Sequence, residues 1–441
     1  MKSDISGFPE FLPEEQIVFS EVMENIRKKF EFYGFVPMDT PAVERISTLL
    51  AKGNDSEIYG LYRLADEKNT SKDLGLRFDL TVPLARYVAA HFGQLIFPYK
   101  RYHIAPVWRG ERPQYGRYRQ FYQCDIDIIG NGELSLAHDA EIILLLTDAL
   151  QSLGICNFHT RINNRKILSG FLKTFAEKET VTEIIRLIDK IGKISYEEFD
   201  KAVLQQKVSD NDLHKIRSFL EIEKRGRNLE VLKWMKTLNF NEEFSLGLLE
   251  LEETLQLLKK MEIEDSKVKI SMKLARGLTY YTGNVFETVL DDFDDLGSIA
   301  GGGRYDNLVS AMSDKCFPGV GATIGISRLV PKLLENGLLK ANKSAVAELL
   351  VTVQCREYIG SYLKIADKLR NMKIKTEVYL HDKNLGTQLG YANKKGIKFV
   401  IIANEMELLE GKVVVRNLET RKQETISIST FSEKIPEFME L

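Results

Sequence analysis

Read as a β-strand, residues 117–129 (RYRQFYQCDIDII) separate into two chemically distinct faces. Successive side chains point to opposite sides of a pleated strand. Arg117, Arg119, Phe121, Gln123, Asp125 and Asp127 therefore share one side, and Tyr118, Gln120, Tyr122, Cys124, Ile126 and Ile128 the other. Upstream, Arg109 and Glu111 share a parity, and Pro113 and Gly116 mark a connection between them and the row. The stretch from about Tyr99 to Gly130 thus predicts two long antiparallel strands, with Arg109 and Glu111 brought beside the functional face. Between Lys100 and Gln120 there are six Lys or Arg and one Glu, a concentration that fits phosphate binding. A solvated sheet face with scattered ion pairs would account for the charges alone. It would not account for Phe121 among arginines, where an aromatic ring serves as a platform for a base.

The rest of the chain sets this hairpin in a larger frame. With 441 residues the chain exceeds what one hydrophobic core usually supports, so two or three domains are expected. A net charge of −2 excludes a uniformly basic nucleic-acid coat, so any RNA or phosphate site is local. Phe19, Val22, Ile26, Phe30 and Tyr33 step by threes and fours after Pro13, Glu14 and Glu15, which predicts an amphipathic helix over 13–33 ended by Gly34. A short strand, FVPM, and Pro41 follow. From roughly 165 to 265 glycines are few and Leu, Ile, Lys and Glu recur at helical spacing, the pattern of a helical insertion. Strand signals return at 281–290, followed by glycines 301–303. After a polar joint near Gly337 to Ser344, strands alternate with helical stretches as in a small α/β domain. The N-terminus has no apolar signal core and no run reaches a membrane span, which predicts a cytoplasmic protein without a membrane partner. The four cysteines, Cys124, Cys156, Cys316 and Cys355, are widely spaced and read as buried free thiols. None of the six histidines falls in a metal-like cluster, and His103 reads as packed or hydrogen-bonded.

Several stretches together resemble one family. RGERPQYGRYRQFYQCDIDIIG (109–130) is similar to the motif 2 hairpin of class II aminoacyl-tRNA synthetases in its histidyl form. ARGLTYYTGNVFE (275–287) and GGGRYDNLV (301–309) resemble the two histidine-binding signatures of histidyl-tRNA synthetases. LRFDLTVPLARY (76–87) is similar to the segment that holds the α-amino group, PGVGATIGISRLV (318–330) to motif 3, and the first helix with Pro41 to motif 1. Residues 345–441 are similar to the anticodon-binding domain of this subgroup. A lone RxE or GGGRYD is weak; their joint occurrence in family order is specific.

The resemblance implies an α+β catalytic domain on an antiparallel sheet over 1–335, interrupted by the helical insertion at about 165–265, and a C-terminal α/β anticodon-binding domain over 345–441. It implies activation of L-histidine by ATP and transfer to the 3′-hydroxyl of the terminal adenosine of histidine tRNA. Catalysis of this kind is chiefly positioning and electrostatic stabilisation. By resemblance Arg109 holds the α-phosphate, Glu111 the adenine edge, Phe121 stacks under the base, and Arg117 and Arg328 grip the terminal phosphates. Arg276 stands between substrate carboxylate and α-phosphate, where related enzymes tend to use a metal; Mg2+ is expected with the β- and γ-phosphates rather than in a dedicated protein cluster. Asp127 and Tyr281, with Tyr280 beside them, match the imidazole-reading positions. Asp79, Thr81 and Gln123 match those for the α-ammonium. A pocket that reads both ring nitrogens must present a carboxylate and a hydroxyl in fixed places.

On the tRNA side the resemblance places Gln114 near the acceptor end. Lys383 and Lys394, with Lys395 and Lys398, offer a basic edge for anticodon-stem phosphates. Lys224, Arg225, Arg227 and Lys233 of the insertion suit either an acceptor-stem clamp or a solvated helix face. A homodimer is implied through motif 1. Three positions depart from the family pattern: Thr279 for an Asp, Ser327 for an acid before the motif 3 arginine, and Tyr115 for a small or basic residue. The first two bear on the support of Tyr281 and Arg328. The rival from another class is a non-catalytic, synthetase-like regulatory subunit of histidine biosynthesis. Such paralogues usually lack the anticodon domain and erode the ATP arginines, and this chain retains both. Prolyl, threonyl or glycyl enzymes share the C-terminal domain but are not expected to carry RGLxYY.

Overall fold

The computed structural model describes residues 5–50, 57–62, 73–113, 116–192, 194–276, 280–293, 296–306 and 315–440. The chain divides into two compact units, Met1–Pro9 with Val22–Glu335 and Glu10–Glu21 with Asn336–Leu441.

In chain order the strands of the first unit are β1 (Val36–Pro37), β2 (Val43–Arg45), β3 (Gly60–Leu61), β4 (Leu74–Leu76), β5 (Tyr99–Trp108), β6 (Gln120–Ile129), β7 (Phe158–Asn164), β8 (Val268–Ile270), β9 (Asn284–Leu290), β10 (Ser298–Tyr305) and β11 (Gly319–Ile324). Eight of them form one sheet in the order β1-β5-β6-β11-β10-β9-β7-β8. The six central strands pair antiparallel, and β1 and β8 add parallel at the two edges. The hairpin expected from residues 99–130 is the β5–β6 pair, with Arg101 opposite Asp127, His103 opposite Asp125 and Ala105 opposite Gln123. β6 starts at Gln120, three residues later than the alternation predicts. The reason is local: the backbone N–H groups of Arg119 and Gln120 donate to the Gly7 carbonyl, and the Arg119 guanidinium reaches the carbonyls of Glu111 and Ser6. Arg119 is thereby drawn off the functional row.

The helices of this unit are α1 (Pro13–Phe32), whose last turns alone belong to it, α2 (Ile46–Leu49), α3 (Thr81–His91), α4 (Ala137–Ser152), α5 (Arg165–Leu172), α6 (Lys178–Ile188), α7 (Tyr196–Leu204), α8 (Asp210–Leu220), α9 (Asn228–Lys236), α10 (Glu242–Lys260) and α11 (Ile326–Glu335). Proline at its first position, an acidic first turn and Gly34 at φ +78° just beyond its end bound α1. Helices α5 to α10 fill the chain between β7 and β8 and have a core of their own, in which Phe171 stacks on Phe219 at 4.1 Å and Phe244 lies beside Phe219. Each such ring buried contributes roughly 1.5–3 kcal/mol. A polar network ties them to the sheet. Asn284 on β9 donates to Asp139 of α4 and Thr254 of α10, Asn164 of β7 donates to Asn284 and to Glu250 of α10, and Arg304 of β10 clamps Asp139 at 2.7 Å. Asp139 and Asn284 are fully buried, so every partner is needed.

The second unit contains β12 (Leu349–Val351), β13 (Thr376–Val378), β14 (Phe399–Ile402), β15 (Lys412–Asn417) and β16 (Gln423–Ser427) in the order β13-β12-β14-β15-β16, with α12 (Ile359–Asn371), α13 (Leu385–Lys395), α14 (Glu405–Leu409) and α15 (Phe431–Met439). The first three strands run parallel and the last two turn antiparallel. Leu349, Val351, Ile365, Leu369, Val413, Val415 and Ile435 make its core. The Tyr362 hydroxyl satisfies the Ala403 carbonyl at 2.6 Å.

The cysteine expectation needs correction. All four are free, but only Cys124 is buried; Cys355 is half-buried, and Cys156 and Cys316 lie at the surface in loops that put no apolar layer over them.

Candidate active site

The functional face of β6 looks across a floor of glycine. Asp127 pairs in register with Gly321, which pairs with Gly303; one level along, Asp125 pairs with Thr323 and Thr323 with Gly301. A Cβ on Gly321 would sit 1.9 Å from Asp127 Oδ1, and one on Gly301 would sit 2.1 Å from Arg276 Nη1. Only a residue without a side chain lets these two groups lie flat on the sheet.

Asp127 is gripped from both sides. Arg101 Nη2 stands 2.5 Å from its Oδ2, and the Tyr305 hydroxyl donates to its Oδ1 at 2.5 Å. All three side chains are buried. Burial, reinforced by the Asp127 charge, pushes the Tyr305 phenol well above its ordinary range, so it stays a neutral donor. Tyr281 is also buried and its ring lies beside that of Tyr280, whose hydroxyl donates to the Tyr281 hydroxyl at 3.2 Å.

Arg276 enters from the loop after β8. Its φ of +44° is unusual for a residue with a Cβ and costs about 1 kcal/mol or more. Arg165 offsets that cost by donating to the carbonyls of Ala275 and Arg276 at 2.6 and 3.4 Å. The Arg276 guanidinium donates to the Phe286 carbonyl at 2.9 Å and lies 5.8 Å from the Tyr281 ring centre. Burial works against its charge, but Tyr281 and Glu287 outweigh it and its pKa is raised.

At the other end of the face, Arg109 lies over the Phe121 ring at 5.0 Å and is anchored to the Phe78 carbonyl at 3.1 Å. Glu111 and Arg117 pair with each other. Arg328 is held by carbonyls of Gly116 at 2.8 Å and Ser298 at 3.0 Å, and burial together with the neighbouring Arg117 lowers its pKa. Ser327, where an acid was expected from the family pattern, is buried and its hydroxyl accepts the Tyr122 N–H at 2.9 Å, so the position serves backbone satisfaction here. Asp79, just before Leu80 at the N-cap of α3, accepts the Val82 N–H at 2.9 Å, with Thr81 half-buried as the first helical residue. Gln123 donates to the Thr323 hydroxyl at 3.3 Å. His103 is hydrogen-bonded to Asp39 at 2.9 Å; burial, with Arg101 and Arg77 nearby, depresses it to about 3 and keeps it neutral.

The fold thus gathers Arg276, Tyr280, Tyr281, Gln123 and Asp127 over one sheet face, with Arg109, Glu111, Arg117, Phe121 and Arg328 toward its other end. Gln114, Tyr115 and Thr279 lie outside the described residues. Lys383 and Lys394 are exposed in the second unit, while Lys395 pairs with Glu377 at 2.8 Å and Lys398 with Glu419 at 3.3 Å. On the insertion Lys224 pairs with Glu221, Arg225 packs on Trp234 at 4.1 Å, and Arg227 and Lys233 are exposed. Sequence reasoning missed Arg101 and Tyr305. Both had a signal: Arg101 has the parity that a hairpin sets opposite Asp127, and Tyr305 sits inside the quoted GGGRYDNLV stretch.

The chain is similar to known proteins over nearly its whole length. A family model described as histidyl-tRNA synthetase matches residues 7–329, and one described as an anticodon binding domain matches residues 346–438. A histidine–tRNA ligase of Clostridium tetani is 43% identical over 97% of this chain and 98% of its own, and one of Finegoldia magna is 38% identical over 98% and 99%. The crystal structure of histidyl-tRNA synthetase from Nostoc sp. PCC 7120 superposes with a TM-score of 0.88 at 36% identity, covering 99% of each chain.

Proposed function

The chain belongs to the histidyl-tRNA synthetase family, and on that premise we propose how its residues divide the work. The activity is that of an ATP-dependent aminoacyl-tRNA synthetase, a histidine–tRNA ligase. Histidine is first joined to the α-phosphorus of ATP with loss of pyrophosphate. The histidyl group then passes to the 3′-hydroxyl of the terminal adenosine of histidine tRNA. The substrate carboxylate is itself the nucleophile, so the protein's task is alignment and charge stabilisation rather than proton transfer.

Arg276 lies between the carboxylate and the α-phosphate and neutralises charge as the bond forms. Arg109 holds the α-phosphate from the opposite side, and Phe121, already under the Arg109 guanidinium, supports the adenine. Glu111 reads the adenine edge and Arg117 and Arg328 take the terminal phosphates; for this the Glu111–Arg117 pair opens and each partner exchanges the other for nucleotide. Asp127 and Tyr281, with Tyr280 beside them, read the imidazole nitrogens, and Asp79, Thr81 and Gln123 receive the α-ammonium. Among the described residues no group of three or more His, Cys, Asp or Glu gathers to hold an ion. The Mg2+ we propose is the ATP-borne one, held by phosphate oxygens and water, where it neutralises the β- and γ-phosphates.

We assign histidine activation to residues 1–335 with the insertion at about 165–265, and anticodon-stem contact to 345–441 through Lys383 and Lys394; Gln114 is proposed for the acceptor end. We propose a cytoplasmic homodimer as the working form; separately, among the described residues no helix is long and apolar enough to cross a membrane.

One observation supports the histidine assignment above the others: a buried carboxylate, Asp127, held in place by Arg101 and Tyr305 on the same glycine floor as Arg276. ATP–pyrophosphate exchange with each of the twenty amino acids tests it. Exchange with histidine alone is expected, and Asp127→Asn raises the KM for histidine far more than that for ATP. Exchange driven by another amino acid, or equal effects on both KM values, overturns the pocket.

A further inference from the structure

We propose that Asp125 is a further residue of the histidine pocket, supplying a carboxylate oxygen to the α-ammonium of the amino acid; the proposal rests on the pocket reading given above. Asp125 lies on β6 between Gln123 and Asp127 with the same parity, and is 4% exposed. Its cross-strand neighbours are His103 and Thr323, and Thr323 in turn pairs with Gly301, the glycine over which Arg276 lies. Asp125 thus sits at the level of Arg276, where the proposed pocket holds the backbone end of the substrate, one step from the imidazole level marked by Asp127 and Gly321.

The hydrogen bonds around it are arranged for a missing donor. Gln123 Nε2 donates to the Thr323 hydroxyl at 3.3 Å, and that hydroxyl's proton goes to the Asp125 carboxylate. The relay fixes the Gln123 amide so that its oxygen turns away from Thr323. Gln123 Oε1 and Asp125 Oδ1 are then both buried with no hydrogen-bond partner. Two orphaned acceptors in one pocket are costly unless a ligand satisfies them. A primary ammonium carries three N–H donors and a full charge, which suits Gln123, Asp125 and the nearby Asp79. No group on the facing strand reaches Asp125 Oδ1: His103 bonds Asp39 through Nε2 and Arg101 holds Asp127 through Nη2, while His103 Nδ1 and Arg101 Nε and Nη1 are buried without any hydrogen-bond partner.

Charge balance points the same way. The charged and titratable groups around Asp125 are Arg77, Asp79, Arg101, His103, Asp127 and Tyr281. With His103 neutral and Arg77 shared with Asp39 at 3.7 Å, carboxylates outnumber guanidinium groups around Asp125, which favours an incoming cation. Burial, opposed by Arg101 and assisted by Asp127, pushes the Asp125 carboxyl up to about 7. The empty pocket therefore holds it part-protonated at neutrality, and an incoming ammonium displaces that proton into solvent.

The test compares two ligands that share an imidazole and a carboxylate and differ in the ammonium: L-histidine and 3-(imidazol-4-yl)propanoate, with binding to the full chain followed by calorimetry. Asp125→Asn is expected to weaken histidine by about tenfold or more while changing the deamino ligand by less than about threefold. Equal loss of both ligands, as from a merely structural defect, or loss of neither, overturns the proposal. Thr323→Val, which breaks the relay and keeps the carboxylate, carries the same comparison if Asp125→Asn does not fold, with a smaller histidine-selective loss expected. Asp127→Asn separates the two readings, since it is expected to weaken both ligands alike. If it weakens neither, the pocket reading falls and the Asp125 proposal with it.

Discussion

Arg101 and Asp127 face each other across the β5–β6 ladder, and Arg101 Nη2 approaches Asp127 Oδ2 to 2.5 Å with both side chains almost fully buried. The carboxylate proposed to read the imidazole is thus held from beneath by a cation that never reaches the surface. Tyr305 donates to its other oxygen, so both Asp127 oxygens are held by the fold. Such a pair adds little net stability, because desolvation offsets the attraction, but it fixes where the carboxylate points.

Removing one partner is a different matter. Arg101→Ala leaves Asp127 buried without its counter-charge and is expected to lower unfolding free energy by about 3–5 kcal/mol in urea titration. The double variant Arg101→Leu with Asp127→Leu should recover much of that loss. A single variant as stable as the parent would show that the pair is not closed in solution.

Tyr305→Phe removes one charge-assisted hydrogen bond to Asp127 and nothing else from the pocket wall. The KM for histidine in pyrophosphate exchange is expected to rise roughly tenfold, in line with about 1.5–3 kcal/mol for a bond to a charged group. The KM for ATP should stay within about twofold, and a parallel rise in both would place Tyr305 outside the histidine site.

Arg276→Ala is expected to slow single-turnover adenylate formation by about 10² or more, the scale of losing one preorganised transition-state donor, with the fold intact by circular dichroism. Gly301→Ala probes the same group without touching it. Its methyl would sit 2.1 Å from Arg276 Nη1, so the guanidinium must leave its seat. The same slowing is expected, and an unchanged rate in either variant defeats the assignment.

Asp125 gives a signed pH dependence for the empty protein. Its carboxyl rises from 3.8 to about 7 on folding, chiefly through burial. The folded state therefore binds a proton that the unfolded state releases between those limits, and this group lowers stability progressively as pH climbs through the window. Asp125→Asn removes the effect. The variant should be no more stable than the parent below pH 4, gain as pH rises to 7, and hold a constant advantage of roughly 2–4 kcal/mol above it. Thermal melts across pH 4–8 without histidine read this directly, and an advantage that shrinks with rising pH would contradict it.

The amino-acid sequence by itself determined which local elements form and which face of β6 is chemical. Period-two alternation from Phe121 to Asp127, helical spacing in the insertion and the glycine run 301–303 are properties of neighbouring residues, and local sterics and burial act on them directly. Only the tertiary structure decided what lies against that face. Arg101 is 26 positions from Asp127 and Tyr305 is 178, and although hairpin parity points to the first, only the assembled sheet brings both onto one carboxylate. The Gly7 carbonyl that ends the functional row at Arg119, and the approaches that require Gly301 and Gly321 to lack side chains, are equally non-local. Register across an eight-stranded sheet is set by the packing of its whole buried face, and so the partners of each functional side chain, unlike its parity, are a property of the assembled fold.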